Sequence, residues 1–356
     1  TNVMKRQREE QRIPEYPLYT HGEIDWVEGR IFPMKEGVTK AFDKKGETLE
    51  ITFFRAGHIV GAAGLRIVYR DKSLFLTGDV LFHDMTTLPG ADFPRERCDV
   101  LVTETTRGLT SRQPKGTRTH EVNRLLRTIN DTLAGGGSVL VPAFALGRMQ
   151  ELIAIFNEAK LGGLLPDDVP VFCSGLGLDL VDYFDAIARR IGGLRFRRSL
   201  LKEVGVRKLR GDLRPGRNVP QQGIYLVSSG MIVEMTPSYN VAASLIGHEQ
   251  NAVCFVGYCD PDTPGGHIIA AGRGGEYTFE KLDHTARLNA AIERFDLSGH
   301  ADREELLDFA LRADPRAVVL THGDPEARDW FFDEFTARVP NLGVHDEEPR
   351  HTITVA

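Results

Sequence analysis

The chain has 356 residues, of which 41% are hydrophobic and 26% are charged, proportions that are ordinary for a folded globular protein and exclude extended disorder. Its length favours two lobes over one compact domain. The net charge of −6 excludes a protein coated in positive potential. No apolar run approaches the roughly 20 residues of a membrane helix, and residues 1–10 lack an apolar signal-peptide core. We therefore expect a cytoplasmic protein with no membrane partner.

The chain contains four cysteines, and none of them forms a Cys-x-x-Cys pair. They are Cys98, Cys173, Cys254 and Cys259. Such sparse cysteines do not make a disulfide framework. We predict buried, reduced thiols.

The first third of the chain is predicted to be rich in short strands. Residues 18–27 have a helix-like, polar pattern, in which we interpret His21 as a surface residue. Short apolar runs bounded by Gly, Asp or Pro follow at residues 49–54, 65–69, 74–76 and 100–102. This pattern is typical of half of a sheet sandwich.

Four of the predicted strands run into a histidine or an aspartate beside a glycine. In chain order these residues are His58, Asp79, His300 and His322. Imidazole and carboxylate are the ligands that zinc takes in catalytic sites, where a coordination position stays open for water. A carboxylate can also hold two cations roughly 3.5–4 Å apart. The repeated pattern predicts a metal site, although each Gly-Asp pair by itself is also an ordinary turn.

The middle of the chain has an alternating α/β pattern. Helical spacing at residues 121–133 ends at three glycines, and a second helix is predicted at 148–159. Strands are predicted at 138–141, 169–173, 224–227 and 252–258. Arg148 begins the second helix after Gly147, where a helix N-terminus and a guanidinium can act together on an anion. The alternative is a salt bridge between Arg148 and Glu151.

Residues 189–217 are strongly basic. They contain eleven Lys or Arg against Glu203 and Asp212, a net charge of +9 that leaves −15 for the remainder. Such a stripe can bind a polyanion electrostatically. The stretch is also rich in Leu, Val and Gly, so a solvated, structural face is the alternative.

The last part of the chain returns to the first pattern. A helix is predicted at 301–311 directly after His300, with Asp302 in its first turn, and a strand at 317–320 precedes His322. Residues 351–356 are predicted to form a closing strand. Six other histidines have no comparable spacing and receive no role: His120, His248, His267, His284, His345 and His351.

Six motifs in this order resemble one known family. They are Gly57-His58, Thr77-Gly78-Asp79, Thr103 to Thr106, Pro142 to Arg148, Ser298 to Asp302 and Thr321 to Asp324. Together they resemble the β-CASP branch of the metallo-β-lactamase superfamily, which contains RNA-processing nucleases such as the mRNA 3′-end cleavage subunit and its prokaryotic relatives. The resemblance covers about residues 17–324.

The resemblance implies an α/β fold: a metallo-β-lactamase αββα sandwich with an inserted α/β β-CASP domain. The implied division is an incomplete first part of the sandwich at 1–110, the insertion at 111–284 and the second part at 285–356. The family's first strands and its His-x-His-x-Asp-His loop are absent from these residues, and we interpret this absence as N-terminal truncation. A smaller departure is Arg107, which stands where the family usually has Tyr, although Gly108 is kept.

The resemblance also implies the roles of individual residues. His58 would bind one zinc, His322 the second, and Asp79 would bridge both and take part in catalysis. Glu104 would orient His300 and keep it protonated as a general acid. Arg148, Ser229 and Gly230 would hold substrate phosphates. His83 lies near this site in the sequence, and we interpret it as a supporting or ordinary surface residue.

The implied function is a zinc-dependent RNA phosphodiester hydrolase with two zinc ions per complete site, acting on single-stranded RNA as an endonuclease, a 5′-exonuclease or both. Zinc would activate the attacking water, and the products would carry a 5′-phosphate and a 3′-hydroxyl. Without the family's loop each metal keeps about two protein ligands, so we expect this chain alone to bind zinc weakly and to be inactive.

Two other functions and several details stay open. One alternative is a non-catalytic β-CASP subunit that binds RNA as a scaffold. Another is a small-ester or thioester hydrolase, against which the large inserted lobe argues because small substrates need no such cover. The sequence does not separate RNA from DNA, and a homodimer is also left open.

Overall fold

The computed structural model describes residues 19–111, 117–211 and 213–346. The closing strand predicted at 351–356 lies outside these residues. Within them, no helix combines the length and the apolar character needed to cross a membrane.

Strands and helices alternate through most of the chain. The strands are β1 (Lys40–Lys44), β2 (Glu47–Arg55), β3 (Ala63–Tyr69), β4 (Lys72–Leu76), β5 (Val100–Glu104), β6 (Val139–Pro142), β7 (Val171–Ser174), β8 (Val206–Lys208), β9 (Ile224–Val227), β10 (Ala252–Phe255), β11 (Glu276–Phe279), β12 (His284–Arg287), β13 (Ala291–Arg294), β14 (Ala317–Thr321) and β15 (Gly343–His345). The helices are α1 (His21–Glu28), α2 (Arg118–Ala134), α3 (Arg148–Leu161), α4 (Leu176–Asp179), α5 (Val181–Ile191), α6 (Leu200–Glu203), α7 (Pro237–Leu245), α8 (Pro264–Ala271), α9 (Arg303–Ala313) and α10 (Pro325–Arg338). The order confirms the predicted α/β class.

The first lobe is built on a seven-stranded sheet in the order β1-β2-β3-β4-β5-β14-β15. Strands β1 to β4 are antiparallel neighbours, whereas β4, β5, β14 and β15 run parallel. Leu76 pairs with Val102, and Thr321 pairs with Glu104. The carboxyl ends of β4, β5 and β14 therefore lie side by side, although β14 is more than 200 residues later in the chain.

One face of this sheet is packed and the other is not. Phe75 and Leu101 form a core with Leu306 of α9 and Phe331 of α10. The opposite face is also apolar, yet its side chains stay partly exposed and join none of the buried clusters in the described parts of the chain: Ile51, Phe53, Leu65, Ile67, Leu74, Leu76, Val100, Val102 and Val319. A contiguous apolar surface of this kind is an interaction or aggregation surface.

We expect this open sheet face to make the 356-residue chain bind a hydrophobic dye and self-associate, because its cross-strand pairs keep apolar area in contact with water. Changing the cross-strand pair Ile51 and Ile67 to threonine should reduce both effects, as measured by dye fluorescence and sedimentation. The matched change Leu101→Thr, on the packed face, should lower the unfolding midpoint instead. A monodisperse chain that binds no dye would contradict this prediction.

The second lobe contains a six-stranded sheet in the order β13-β10-β6-β9-β7-β8, in which every pair is parallel. Helices α2 and α3 pack on one face, and α7 and α8 pack on the other. Strands β6, β9 and β10 are therefore wholly buried, which explains their continuous apolar sequences. Ligands bind at the carboxyl edge of such sheets, where the loops after β6, β9 and β10 lie together.

The strand β13 belongs to this second sheet, although it lies beyond residue 284. Sheet membership therefore places the end of the inserted lobe after Arg294. The division of the chain at residues 110 and 284 stays a prediction.

The predicted states of the cysteines and of His21 are confirmed. Cys98, Cys173, Cys254 and Cys259 are all buried free thiols. Burial raises the pKa of Cys98 to about 11 and that of Cys173 to about 12, so neither is a reactive thiolate at neutral pH. His21 is exposed on α1, a helix that buries none of its residues.

Candidate active site

The edge where β4, β5 and β14 end brings three of the predicted residues together. Asp79 follows β4, Glu104 ends β5 and His322 follows β14. Gly78 supplies a positive φ of 55° between β4 and Asp79, a conformation that glycine adopts without strain. His322 also has a positive φ, of 51°, which is uncommon outside glycine and is found at functional turns.

His58 reaches the same place from the turn after β2. Its preceding residue, Gly57, has a φ of 76°, and a Cβ there would lie 2.7 Å from the backbone nitrogen of Ala91, so only glycine fits. His58 Nδ1 lies 2.9 Å from the carbonyl oxygen of Gly299, an acceptor that requires the proton on Nδ1. The Nε2 lone pair is therefore free, and Nε2 lies 3.8 Å from Asp79 Oδ2.

Asp79 lies between two histidines, one at each carboxylate oxygen. Its Oδ2 faces His58, and its Oδ1 lies 3.0 Å from His322 Nδ1. Two donor atoms on one tetrahedral zinc are roughly 3.4 Å apart, given metal–donor lengths near 2.1 Å. The two separations of 3.8 and 3.0 Å bracket that value. These three side chains therefore have the spacing of metal ligands.

The pKa of His58 is lowered, first by burial and then by the neighbouring His300, whose ring centroid is 4.4 Å away. A lowered pKa keeps the imidazole neutral at physiological pH. Metal ligands must be deprotonated, so this environment prepares His58 as a ligand.

Glu104 and His300 form a buried pair beside this cluster. Glu104 is 1% exposed. Its Oε1 accepts a hydrogen bond from the Val80 backbone N–H at 2.6 Å, and its Oε2 lies 2.7 Å from His300 Nδ1. Both oxygens of Glu104 are therefore occupied, and His300 keeps only Nε2 for chemistry. Donor atoms of Asp79, Glu104, His300 and His322 all lie within 4.8 Å of one another.

A cavity of about 690 Å³ lies between the two lobes at this cluster. The first lobe contributes His58, Asp79, Thr106, His300 and His322, and the second contributes Phe144, Arg148, Gly230 and Tyr258. The second-lobe residues come from the carboxyl edge of its parallel sheet. The cavity thus joins the metal-ligand cluster to the edge where such sheets bind ligands.

Arg148 is a buried cation in the wall of this cavity. It is 9% exposed, and its Nη1 lies 3.6 Å from Met85 Sδ. Burial lowers its pKa to about 10, which still leaves it charged at neutral pH. Across the described ranges no carboxylate forms an ion pair with it. A buried charge without a partner is costly, so the guanidinium is suited to an anion entering the cavity.

No direct salt bridge joins Arg148 to Glu151 in the described parts of the chain, although, against the effects of burial and of Arg118, the Glu151 charge raises the Arg148 pKa. Glu151 binds Arg118 Nη2 at 2.8 Å and accepts hydrogen bonds from the backbone N–H groups of Thr86 and Thr87, each at 2.8 Å. Burial opposes the charged form of Glu151, but Arg118 and the Thr87 and Thr86 hydrogen bonds outweigh it and lower the pKa. Because Glu151 lies on α3 and the threonines lie in the first lobe, this carboxylate links the two lobes.

The other predicted residues divide into two groups. Gly230 lines the cavity, where a Cβ would lie 3.1 Å from Phe144. Ser229 does not line it, and the Ser229 hydroxyl accepts a hydrogen bond from the Val233 N–H instead. His83 lies outside the cavity lining and is 3.4 Å from Glu305.

The basic stretch at 189–217 does not line the cavity either. Arg195 pairs with Asp84 and Arg198 with Asp182, while Phe196 and Leu200 are buried. This favours the structural interpretation of the stretch.

Thr106 and Tyr258 also line the cavity, and the sequence assigned neither of them a role. Thr106 Oγ1 lies 3.0 Å from His322 Nδ1, and Tyr258 is 50% exposed in the cavity wall. The sequence feature that could have identified them is their position after a strand: Thr106 follows the end of β5 at Glu104, and Tyr258 follows the end of β10 at Phe255.

Comparison with known proteins matches two regions of the chain to family models. Residues 149–268 match the Beta-Casp domain, and residues 285–340 match the Zn-dependent metallo-hydrolase RNA specificity domain. The chain is 29% identical over 323 residues to the transcription termination factor FttA of Pyrococcus horikoshii, covering 86% of this chain and 48% of that protein.

Two further relatives give the same picture. The probable RNase MJ4 of Methanocaldococcus jannaschii is 25% identical over 299 residues, covering 82% of this chain and 67% of that protein. Integrator complex subunit 11 of Gallus gallus is 26% identical over 286 residues, covering 80% and 46%. The chain spans about half the length of FttA and of the Integrator subunit.

The two lobes and the histidine–carboxylate cluster between them define the architecture of a metallo-hydrolase. The two family matches and these relatives support a place for the chain in the β-CASP branch of the metallo-β-lactamase superfamily. The resemblance inferred from the six motifs is confirmed.

Proposed function

We propose that this chain carries the active-site cleft of a metal-dependent RNA phosphodiester hydrolase that acts in the cytoplasm. The observation that carries the proposal is the position of Asp79 between His58 and His322, with the Glu104–His300 pair beside it in one cavity. This arrangement combines metal ligands with an oriented proton donor. A small-ester hydrolase would not need the wide cleft between two lobes.

His58, Asp79 and His322 would hold two metal ions, which we propose to be zinc. Bound zinc supplies Lewis-acid polarisation and a nucleophile at neutral pH. A catalytic zinc usually takes three protein ligands, so these three residues alone do not complete two sites. The proposal therefore concerns the whole protein that contains this chain.

The chain's own residues supply proton transfer and substrate binding. Glu104 holds His300 at Nδ1, which presents Nε2 to the cavity as the proton donor to the leaving oxygen. Arg148 supplies an unpaired guanidinium for a substrate phosphate. We propose that the loop at Ser229 and Gly230 contributes close backbone contact, through Gly230 at the cavity wall. The products would carry a 5′-phosphate and a 3′-hydroxyl.

RNA is favoured as the substrate by the relatives and by the matched families. One matched model is an RNA specificity domain, and one relative is named a probable RNase. Another relative is a subunit of the Integrator complex. We therefore also propose that this protein acts within a larger assembly. We propose single-stranded RNA because a cleft with one buried arginine suits an unpaired strand.

Metal content and RNA cleavage test this proposal, measured on the product of the longest reading frame that contains these residues. We expect about two zinc ions per chain and metal-dependent cleavage, and Asp79→Asn should lose both because it removes the shared carboxylate charge. The matched control is Asp92→Asn, an exposed side chain of the same lobe, which should change neither. A protein that binds RNA without metal or cleavage would be a scaffold, and the hydrolase would be excluded.

A further inference from the structure

A second cavity, of about 640 Å³, adjoins the candidate active site. The two cavities share the lining residues Thr106, Gly257, Tyr258, Ser298 and His300. They therefore adjoin, and they meet at the residue we assign as the proton donor. Any polymer bound across His300 has a path on from the first cavity into the second.

The second cavity is lined by three arginines, Arg107, Arg124 and Arg294, and we call it the arginine groove. Two carboxylates, Glu121 and Asp296, also line it. Three positive charges against two negative charges leave a net charge of +1, in a chain whose net charge is −6. The arginines thus place guanidinium groups that can bind phosphate along the groove, while Glu293 lies 3.9 Å from Arg124.

The three arginines differ in how their charges are used. Arg107 pairs with Asp296, and Arg124 pairs with Glu121. Arg294 is exposed, and no ion pair or hydrogen bond of its side chain is found among residues 19–111, 117–211 and 213–346. Arg294 therefore has its full set of donors available to a ligand, while the two paired arginines hold the groove walls in place.

Tyr258 stands where the two cavities meet. It is 50% exposed and follows the end of β10, next to Gly257. An exposed aromatic ring in a groove wall gives an unpaired nucleobase a face on which to stack. Stacking with phosphate contacts is how proteins hold single strands.

We infer that the arginine groove binds the RNA strand as it continues past the candidate active site, with Arg294 on a phosphate and Tyr258 on a base. This inference rests on the proposed function and extends it. Because the groove continues the cleft beyond His300, a strand runs through the site and need not end there. The protein therefore binds internal segments of RNA and does not require a free 5′ end.

Fluorescence anisotropy with labelled single-stranded polyuridine RNA, in EDTA to prevent cleavage, tests the phosphate contact. Arg294→Glu should weaken binding about fivefold and reduce the slope of log affinity against log salt by about 0.7, the value for one phosphate contact on a single strand. The matched control is Arg273→Glu. Arg273 is an exposed arginine of the same lobe that follows the C-terminal end of α8, whereas the sheet's carboxyl edge lies at the N-terminal end of that helix.

The same assay tests stacking and strand passage. Tyr258→Ala should weaken binding at least about fivefold, since stacking on an aromatic ring contributes about 1–3 kcal/mol per base. Tyr258→Phe keeps the ring and should bind like the parent protein. A covalently closed circular RNA should bind as tightly as its linear form.

The outcomes separate this inference from the function on which it rests. If the parent protein binds RNA but Arg294→Glu matches Arg273→Glu, or if circular RNA fails to bind, the arginine groove is excluded and the proposed function stands. If the parent protein binds no RNA in EDTA, the arginine groove is excluded, and the cleavage assay with metal decides the proposed function separately. If Arg294→Glu weakens RNA binding and reduces its salt dependence, and circular RNA binds as tightly as linear RNA, the arginine groove is established.

Discussion

Replacing His300 with alanine is expected to lower the rate of RNA cleavage about 10²–10⁴-fold, the usual contribution of a positioned general acid. The reason is geometric, because Glu104 engages Nδ1 at 2.7 Å and leaves Nε2 alone for proton transfer. Zinc content should not change, since His300 is not among the proposed ligands. Single-turnover cleavage and zinc analysis of the same preparation measure both quantities.

A matched histidine provides the control for this experiment. His83 also contacts a carboxylate, Glu305, but it lies outside the cavity lining, so His83→Ala should leave cleavage unchanged. Glu104→Gln should reduce cleavage with His300 intact, because it removes the charge that orients the ring. Loss of zinc from His300→Ala would show that His300 is a ligand and would refute its role as an acid.

Replacing Glu151 with alanine is expected to destabilise the protein by about 3–5 kcal/mol, the cost of removing one partner from a buried ion pair. The change leaves Arg118 without its carboxylate and two backbone N–H groups, of Thr86 and Thr87, without an acceptor. Because these bonds join the two lobes, Arg148 should also lose its position, and RNA binding should weaken. Chemical denaturation and RNA titration measure the two effects.

The control for this change is Glu158→Ala, on the same helix but exposed, which should change stability by about 0.5 kcal/mol or less. The pH dependence gives a second test. The folded pKa of Glu151 lies below its usual value of 4.5, so its contribution is complete above that pH and is lost as pH falls through the folded pKa. Glu151→Ala should therefore lose less stability than the parent protein on acidification below 4.5. An equal acid response in both proteins would contradict the role of Glu151.

The proposed metal ligands could be predicted from the sequence because a local pattern marks each of them. An apolar strand that runs into a histidine or aspartate beside a glycine identifies His58, Asp79 and His322, and the strand ends bring them to one edge. Ser229 was assigned to the substrate from a loop motif alone. In the structure the Ser229 hydroxyl accepts a hydrogen bond from the Val233 N–H. This local bond competes with a substrate contact, and the motif does not reveal it.

The partner of Glu151 could not be predicted for a different reason. Helical spacing places Arg148 near Glu151, so the sequence offers that pair as the alternative to an anion contact. In the fold, Arg118 from α2 and the first-lobe loop at Thr86 occupy the carboxylate. A buried carboxylate is stable only when hydrogen bonds and ion pairs satisfy it. The groups that satisfy Glu151 come from segments far away in the chain.

By itself the sequence determined the α/β class, the order of strands and helices, the family resemblance and the candidate metal ligands. These follow from periodicity and from residues at strand ends, which are local properties. The tertiary structure alone decided which nitrogen of His58 faces Asp79, because Nδ1 is held by Gly299, 241 residues away. It also decided that Arg148 has no ion pair among the described residues and that a cavity lined by arginines adjoins the site. Such features arise from contacts between distant segments, which no pattern in neighbouring residues encodes.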